Sequence, residues 1–221
     1  MRLLIKATTT FLFGLLTTGA MLFLPAGTLD YYGAWLFVFL LFTPIFIVGI
    51  VLFLRNPALL RKRLEMKERE KEQRCVVSLS GLLLVVSFII SGFDFRFGWS
   101  MVPDTVVVLA SVLLLVGYAL YAEVLRENIY LSRVVEVQAG QIVIDTGLYG
   151  IVRHPMYFAV SLLYIAIPLV LGSWWALLPM LLCVLLLLVR ISKEEQVLCQ
   201  GLPGYTEYTK RVQYRMIPFL W

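Results

Sequence analysis

Long runs without charged residues are the feature that most constrains what this chain can fold into. Hydrophobic residues make up 61% of its 221 residues and charged residues only 15%, and the charges are clustered. A soluble domain contains about 45–50% apolar and about 25% charged residues. Apolar runs of about 20 residues are long enough to cross the hydrocarbon core of a bilayer. The sequence therefore predicts an all-α, polytopic membrane protein.

About six membrane helices are predicted, and the last two are short. The connection between them is only GSWW at 172–175, which predicts a tight helical hairpin; alternatively, this pair is buried or re-entrant. Arg2 and Lys6 precede the first run, but no small-x-small cleavage site follows, so the first span is interpreted as uncleaved. The predicted spans cover residues 7–24, 34–54, 75–92, 104–122, 156–172 and 174–190.

The distribution of Lys and Arg predicts the orientation. Eighteen of the 19 lie at the N-terminus or in segments 55–74, 123–155 and 190–221, and only Arg96 lies in a connection on the other side. Because Lys and Arg accumulate in cytoplasmic loops, both termini are predicted to be cytoplasmic. The net charge of +5 is explained by this topology and by contact with anionic lipid headgroups, so it does not indicate a nucleic-acid partner.

Metal binding is not expected. The chain has one histidine, and its three cysteines have no metal-type spacing and are odd in number.

The charged segment 55–74 is predicted to be a helix that faces water or headgroups, with Asn56 as its cap and Pro57 in its first turn. The pairs Glu65–Arg69 and Glu70–Arg74 have the spacing of stabilising helical ion pairs.

The second half of the chain carries the polar segments in which a site for a soluble ligand is expected. Residues 123–155 form a long connection, and 191–221 form a polar tail; both follow spans that return to the predicted cytoplasmic side. Within the connection, EVLRENIYLSRVVEV continues the fourth span as an amphipathic stretch, and QIVID at 141–145 is extended in character. TGLYG then predicts a turn with two glycines.

The motif RHP at 153–155 precedes the fifth span. Pro155 restricts His154 to an extended conformation and suits the first turn of a helix. A helix N-terminus has free N–H groups and a partial positive charge, and Arg153 and His154 add donors beside it. These groups suit a carboxylate or phosphate. The alternative is that Arg153 is a positive-inside anchor and that His154 caps a carbonyl.

Two further clusters follow. Arg190 and Glu194, in VRISKEEQVL, are four residues apart on one helix face, where they either hold a substrate by both signs or anchor the helix at the interface. In the tail, Tyr205, Tyr208 and Arg211 form a stripe on a short helix, which predicts packing, before an apolar end that is able to return to the membrane.

Together, GLYGIVRHPMY, RISKEE..L and GY..Y..RV..R.IPF resemble the isoprenylcysteine carboxyl methyltransferase family over about residues 123–221. Phospholipid N-methyltransferases have a similar pattern at a greater distance, and membrane sterol reductases carry an element similar to RHPxY. The resemblance implies one integral membrane domain, residues 1–221, with 1–122 as N-terminal spans and 123–221 as a methyltransferase-like half.

The resemblance also implies an S-adenosylmethionine site at the cytoplasmic face. Arg190 and Glu194 match the pair that faces the methyl acceptor, and thus the catalytic positions. The positions implied to bind the cofactor are Glu136, Gln141, Ile142, Val143, Ile144, Tyr149, His154, Pro155, Met156 and Tyr157.

The acceptor is expected to be apolar or lipid-attached and to reside in the bilayer. For a carboxylate acceptor, Arg190 would orient the substrate while Glu194 holds Arg190 or the cofactor amine; an amine acceptor would need Glu194 or Glu195 as a base. The alternatives are a phospholipid amine methyltransferase, an NADPH-dependent sterol-type reductase, and a carrier or scaffold without enzymatic activity. The sequence specifies neither the acceptor nor an oligomeric state.

Overall fold

Residues 2–55, 57, 60, 71–131 and 137–221 are described by the computed structural model of the chain. Within these ranges the chain forms seven α-helices, a single-turn 3-10 helix and no β-strand, so the predicted all-α class is confirmed. The α-helices are α1 (Arg2–Ala26), α2 (Tyr32–Arg55), α3 (Lys71–Phe97), α4 (Asp104–Glu127), α5 (Pro155–Val170), α6 (Leu177–Gly201) and α7 (Tyr205–Arg211).

The membrane helices agree with the prediction of about six. In the described ranges, α1 to α4 are long and apolar enough to cross a membrane, and the chain is an integral membrane protein. Helix α5 has 16 residues, about 24 Å at 1.5 Å per residue, so it is shorter than the hydrocarbon core. Residues 171–176 join α5 to α6 and the two helices pack together, as the predicted hairpin requires.

Two predicted elements need comment. The helix predicted over 55–74, with its cap Asn56 and its ion pairs, lies largely outside the described residues, and α3 already begins at Lys71. Residues 141–145, predicted to be extended, have no regular secondary structure.

Helix α5 lies inside the bundle. Eight of its 16 residues are buried, and it contacts α2, α4 and α6. The main apolar core joins side chains from α1 to α5, including the fully buried Leu22, Phe37 and Leu114. Large apolar side chains on the outer faces of α1 to α4 are exposed, as expected for surfaces that contact lipid.

Small residues allow close helix contacts. A Cβ added to Gly92 in α3 would lie 2.7 Å from the carbonyl oxygen of Leu22 and 2.8 Å from Cβ of Pro25 in α1. A Cβ on Gly117 in α4 would lie 2.7 Å from Cδ2 of Leu163 in α5. Since apolar burial does not favour helix association inside lipid, this close packing is a main source of cohesion.

Polar side chains fix the end of the bundle that carries the short connections. Asp94 is buried near the end of α3, where it accepts hydrogen bonds from the backbone N–H (2.7 Å) and hydroxyl (2.6 Å) of Ser100. The hydroxyl of Ser173, in the turn between α5 and α6, also donates to Asp94. Tyr31 donates to the carbonyl oxygen of Leu171 at 2.5 Å. These bonds hold the hairpin turn to α3 and to the start of α2.

Candidate active site

A cleft lies at the opposite end, where the connection between α4 and α5 meets the end of α6 and the tail. Its empty volume, including space open to solvent, is about 810 Å³. The predicted residues that line it are Gln141, Ile142, Val143, Ile144, Tyr149, His154, Met156, Tyr157 and Glu194.

Two predicted residues are not among those that line the cleft. Pro155 is buried as the first residue of α5. Arg190 lies one helical turn before Glu194 and donates a hydrogen bond to Tyr157, which does line the cleft. Glu136 lies outside the described residues. His154 and Glu194, which come from elements 40 residues apart, line the same cleft.

The turn before α5 is shaped by Glu127 at the end of α4. Its carboxylate accepts hydrogen bonds from the hydroxyl of Thr146 (2.8 Å) and from the N–H of Leu148 (3.2 Å). Gly147, between them, has a φ of 50°, a conformation that favours glycine. The resulting 3-10 turn buries Tyr149, whose hydroxyl accepts a hydrogen bond from Asn128 at 2.8 Å. Burial raises the pKa of Tyr149 to about 12, despite that bond.

Arg153 lines the cleft and also binds the tail. Its Nη1 donates to the carbonyl oxygens of Val212 (2.7 Å) and Gln213 (2.9 Å), and its Nε donates to Glu195 at 2.6 Å. Its backbone N–H also donates to the carbonyl oxygen of Tyr214. These contacts join three parts of the chain, which a simple membrane anchor does not require, whereas the role of Arg153 as an anion donor stays a prediction.

Glu195 is the centre of this connection, which we call the tail clamp and define as Arg153, Glu195 and Arg215. The second carboxylate oxygen of Glu195 lies 2.8 Å from Nε of Arg215. Burial alone would raise the pKa of Glu195, but the facing His154 and Arg153 side chains lower it to about 2. Glu195 is therefore an ionised structural residue, and the neighbouring Glu194 is the carboxylate that faces the cleft.

His154 lies directly before α5, as predicted, but it is not a side-chain cap. Its backbone N–H donates to the carbonyl oxygen of Arg215 at 2.7 Å, and its side chain makes no capping hydrogen bond. Its ring is almost fully buried, and Nε2 lies 3.4 Å from Glu195 without an aligned hydrogen bond. This orphaned nitrogen belongs to a residue of the cleft wall, where a ligand would be able to satisfy it.

The hydroxyl of Tyr157 joins the two predicted catalytic residues. It donates to Glu194 at 2.5 Å and accepts a hydrogen bond from Nε of Arg190 at 3.0 Å. Arg190 lies about 6 Å nearer the apolar part of α6 than Glu194, because four residues rise about 6 Å along a helix. Glu194 thus lines the cleft, and Arg190 lies one turn closer to the apolar part of α6 on the same helix face.

The tail supplies a wall that spacing alone did not predict. Tyr205 and Tyr208 in α7 both line the cleft, although their spacing predicted only packing. Tyr208 donates to the carbonyl oxygen of Tyr149 at 2.7 Å, and burial raises its pKa. Other lining residues missed from the sequence are Asn128, Tyr130, Leu131, Leu198 and Leu202.

The apolar end of the tail packs against the helix bundle, and its predicted return to the membrane stays a prediction. Met216 is buried with Tyr157, Leu187 and Ile191, and Trp221 packs against the same cluster. The ring of Trp221 also lies 5.2 Å from the guanidinium carbon of Arg215. Among the described residues, no group of three His, Cys, Asp or Glu side chains is arranged to hold a metal ion.

One family model matches the chain. Residues 105–200 match the model of the isoprenylcysteine carboxyl methyltransferase (ICMT) family, which is the family that the sequence motifs resemble, and the match spans less than half of the chain. The match includes most of α4, the connection, α5 and almost all of α6, and it ends before α7. No curated protein matches the chain significantly.

Proposed function

We propose that this chain, whose residues 105–200 carry the ICMT family pattern, transfers a methyl group from S-adenosylmethionine to an apolar, lipid-attached carboxylate. The observation that carries the proposal is the single cleft in which His154, Glu194 and residues 141–144 meet. These residues come from three separate stretches of sequence, and each was implied by the family resemblance to serve the same reaction.

The cleft residues fit the proposed methyl donor. S-adenosylmethionine has an apolar nucleoside face, a carboxylate and an ammonium group. Ile142, Ile144 and Leu198 offer apolar contact, and Glu194 offers a carboxylate for the ammonium group. The buried, unpartnered Nε2 of His154 offers a polar partner to the ligand carboxylate. The polarity and charge of S-adenosylmethionine therefore match those of the residues that line the cleft.

The acceptor is proposed to approach Arg190 from the lipid side. Its carboxylate would be oriented by the guanidinium of Arg190, since Arg suits carboxylate geometry. Tyr157, fixed between Arg190 and Glu194 by two hydrogen bonds, would hold both side chains in place. A carboxylate needs no deprotonation before methylation, so this acceptor requires no general base from the chain.

Positioning is the main contribution of the protein residues. Bound S-adenosylmethionine supplies an activated methyl group on a sulfonium centre. Holding two reactants in a productive geometry contributes up to about 7–11 kcal/mol to the barrier reduction. Here the tail clamp would fix the wall formed by α7, while Tyr157 would fix Arg190 and Glu194. Both devices use buried or half-buried hydrogen bonds that keep side chains in one rotamer.

Two predicted features belong to the same proposal. The distribution of Lys and Arg supports a cytoplasmic location for the cleft and for both termini, because 18 of the 19 lie at the N-terminus or in segments 55–74, 123–155 and 190–221. Glu136, outside the described residues, is proposed as an additional cofactor contact from the stretch that precedes residues 141–144.

Ligand binding tests the reaction class. Calorimetry on the detergent-purified protein with S-adenosylhomocysteine, and separately with NADPH, should give heat only with the nucleoside thioether. A methyl-label transfer assay with a farnesylcysteine analogue and with a lipid extract should then label the farnesylcysteine carboxylate. Binding of NADPH alone would favour a reductase, and labelling of a phospholipid amine alone would replace the carboxylate acceptor.

Two substitutions test the residue roles. We expect His154→Ala to weaken cofactor binding and Arg190→Ala to preserve it while abolishing turnover. The reason is that His154 lines the cleft, whereas Arg190 lies toward the apolar part of α6. The roles would be misassigned if Arg190→Ala lost cofactor binding and retained turnover at saturating cofactor.

A further inference from the structure

The side chain of Tyr205 has an unusual environment. It is only 4% exposed, and its hydroxyl is buried without a hydrogen-bond partner. Its ring packs in a small apolar cluster with Leu202, Tyr208 and Val212, and Val143 packs against this cluster. A buried hydroxyl without a partner is unfavourable, and most such groups in folded proteins are satisfied. The apolar packing explains the ring but not the hydroxyl.

A second orphaned atom lies in the same cleft. In the described part of the chain, the buried side-chain atoms found without a partner are the hydroxyl of Tyr205 and Nε2 of His154. Both residues line the cleft, although one comes from the tail and the other from the start of α5. A polar group of a ligand in this cleft would be able to satisfy the Tyr205 hydroxyl and also Nε2 of His154, which lies 3.4 Å from the Glu195 carboxylate.

The chemistry of the hydroxyl selects the kind of group it meets. Burial raises the pKa of Tyr205, and the nearby carboxylates of Glu195 and Glu194 raise it further. The phenol is therefore neutral near pH 7 and is able to donate a hydrogen bond. A ligand ammonium group already has Glu194 as a partner of opposite charge, whereas a ligand carboxylate needs donors.

We propose that the Tyr205 hydroxyl, together with His154 Nε2, binds the carboxylate at the amino-acid end of the methyl donor. This inference rests on the proposed function and adds to it a residue from α7. Tyr205 lies beyond residue 200, where the family match ends, so the match does not assign it a role. The tail would then contribute a ligand-binding residue to the site of the methyl donor, in addition to forming a wall of the cleft.

The test is Tyr205→Phe in the full-length, detergent-purified protein, which removes the hydroxyl and retains the ring. Calorimetry would compare S-adenosylhomocysteine with 5′-methylthioadenosine, which lacks the amino-acid end. We expect affinity for S-adenosylhomocysteine to fall about tenfold or more, as for loss of a hydrogen bond to a charged group. Affinity for 5′-methylthioadenosine should be unchanged, and the ligand-free variant should melt no lower than the wild type.

Tyr208→Phe is the matched control, because its hydroxyl already donates to the carbonyl oxygen of Tyr149. This variant should melt at a lower temperature than the wild type. Any change in its affinity should be the same for S-adenosylhomocysteine and 5′-methylthioadenosine. The Tyr205 assignment is overturned if the wild type binds S-adenosylhomocysteine and Tyr205→Phe binds it equally well, or if that variant loses both ligands alike. If the wild type binds neither ligand, the proposed function itself fails and the assignment falls with it.

Discussion

Glu195→Gln should distinguish the roles of the two adjacent carboxylates of α6, because Glu195 holds the tail clamp and Glu194 faces the cleft. The side chains of Arg153 and Glu195 are 8% and 10% exposed, and their ion pair is 2.6 Å long. Glutamine keeps the shape of the side chain but removes its charge. The buried guanidinium of Arg153 would then lose its counter-charge while retaining its bonds to two backbone carbonyls.

The size of the effect follows from this burial. Removing one partner of a buried ion pair costs about 3–5 kcal/mol, and the retained carbonyl bonds favour the lower end. The pair with Arg215, whose side chain is 39% exposed, adds less than about 1 kcal/mol. In a chain of this size 1 kcal/mol changes Tm by about 2–4 °C, so Glu195→Gln should lower Tm by about 6–12 °C.

Intrinsic tryptophan fluorescence during heating in detergent would measure Tm. Glu194→Gln is the control, because an amide oxygen still accepts the Tyr157 hydrogen bond and the site is half-buried. Its Tm should stay within about 3 °C of the wild type, while its affinity for S-adenosylhomocysteine falls. Equal melting temperatures for Glu195→Gln and wild type would refute the tail clamp as a stabilising element.

Two other perturbations follow from the structure. Because the pKa of Glu195 is lowered from 4.5 to about 2, its stabilisation should be complete above pH 4.5 and be lost as the pH falls toward 2. The Glu195→Gln variant should lack this pH-dependent part of the stability. If Tm of the variant and of the wild type fell in parallel between pH 4.5 and 2, Glu195 would not be the group responsible. Gly92→Ala should lower Tm, because overpacking against α1 costs about 1–3 kcal/mol and exceeds the gain of about 1 kcal/mol in helix propensity. Gly81→Ala, in the same helix with nothing within 4 Å of the added Cβ, should raise Tm or leave it unchanged; an equal loss in both variants would exclude the close contact as the cause.

Features governed by local sequence were predictable. The long apolar runs determined α1 to α4, and Pro155 determined where α5 begins. The Arg190–Glu194 spacing correctly placed the two residues one helical turn apart on α6. In each case a short stretch of sequence was sufficient, because a bilayer admits few backbone structures and proline admits few helix positions.

Features that depend on long-range contacts were not predictable. Arg153 and Glu195 are 42 residues apart, and no spacing rule indicates that their side chains meet. Glu194 and Glu195 differ by about 100° in direction around the helix, but the sequence does not indicate which direction faces the cleft. The position of the tail decides the roles of both residues, and that position depends on backbone bonds between residues 153–154 and 214–215.

The same obstacle applies to Tyr205. Its spacing from Tyr208 predicted a short helix with an apolar stripe, and α7 confirms that helix. Packing accounts for the Tyr208 contacts, whereas the unpartnered hydroxyl of Tyr205 becomes visible only when the cleft is assembled. The available signal in the sequence was the choice of tyrosine over phenylalanine at a position that would otherwise need only an apolar ring.

The late position of α7 in the chain has a consequence for biogenesis. Helices α1 to α6 leave the ribosome before Tyr205, and their apolar surfaces direct insertion into lipid without the tail. The inserted bundle initially lacks one wall of its cleft. The cleft is therefore complete only after translation has passed α7 and Arg215 has reached Glu195. A stalled or C-terminally shortened product would occupy the membrane with an incomplete cleft.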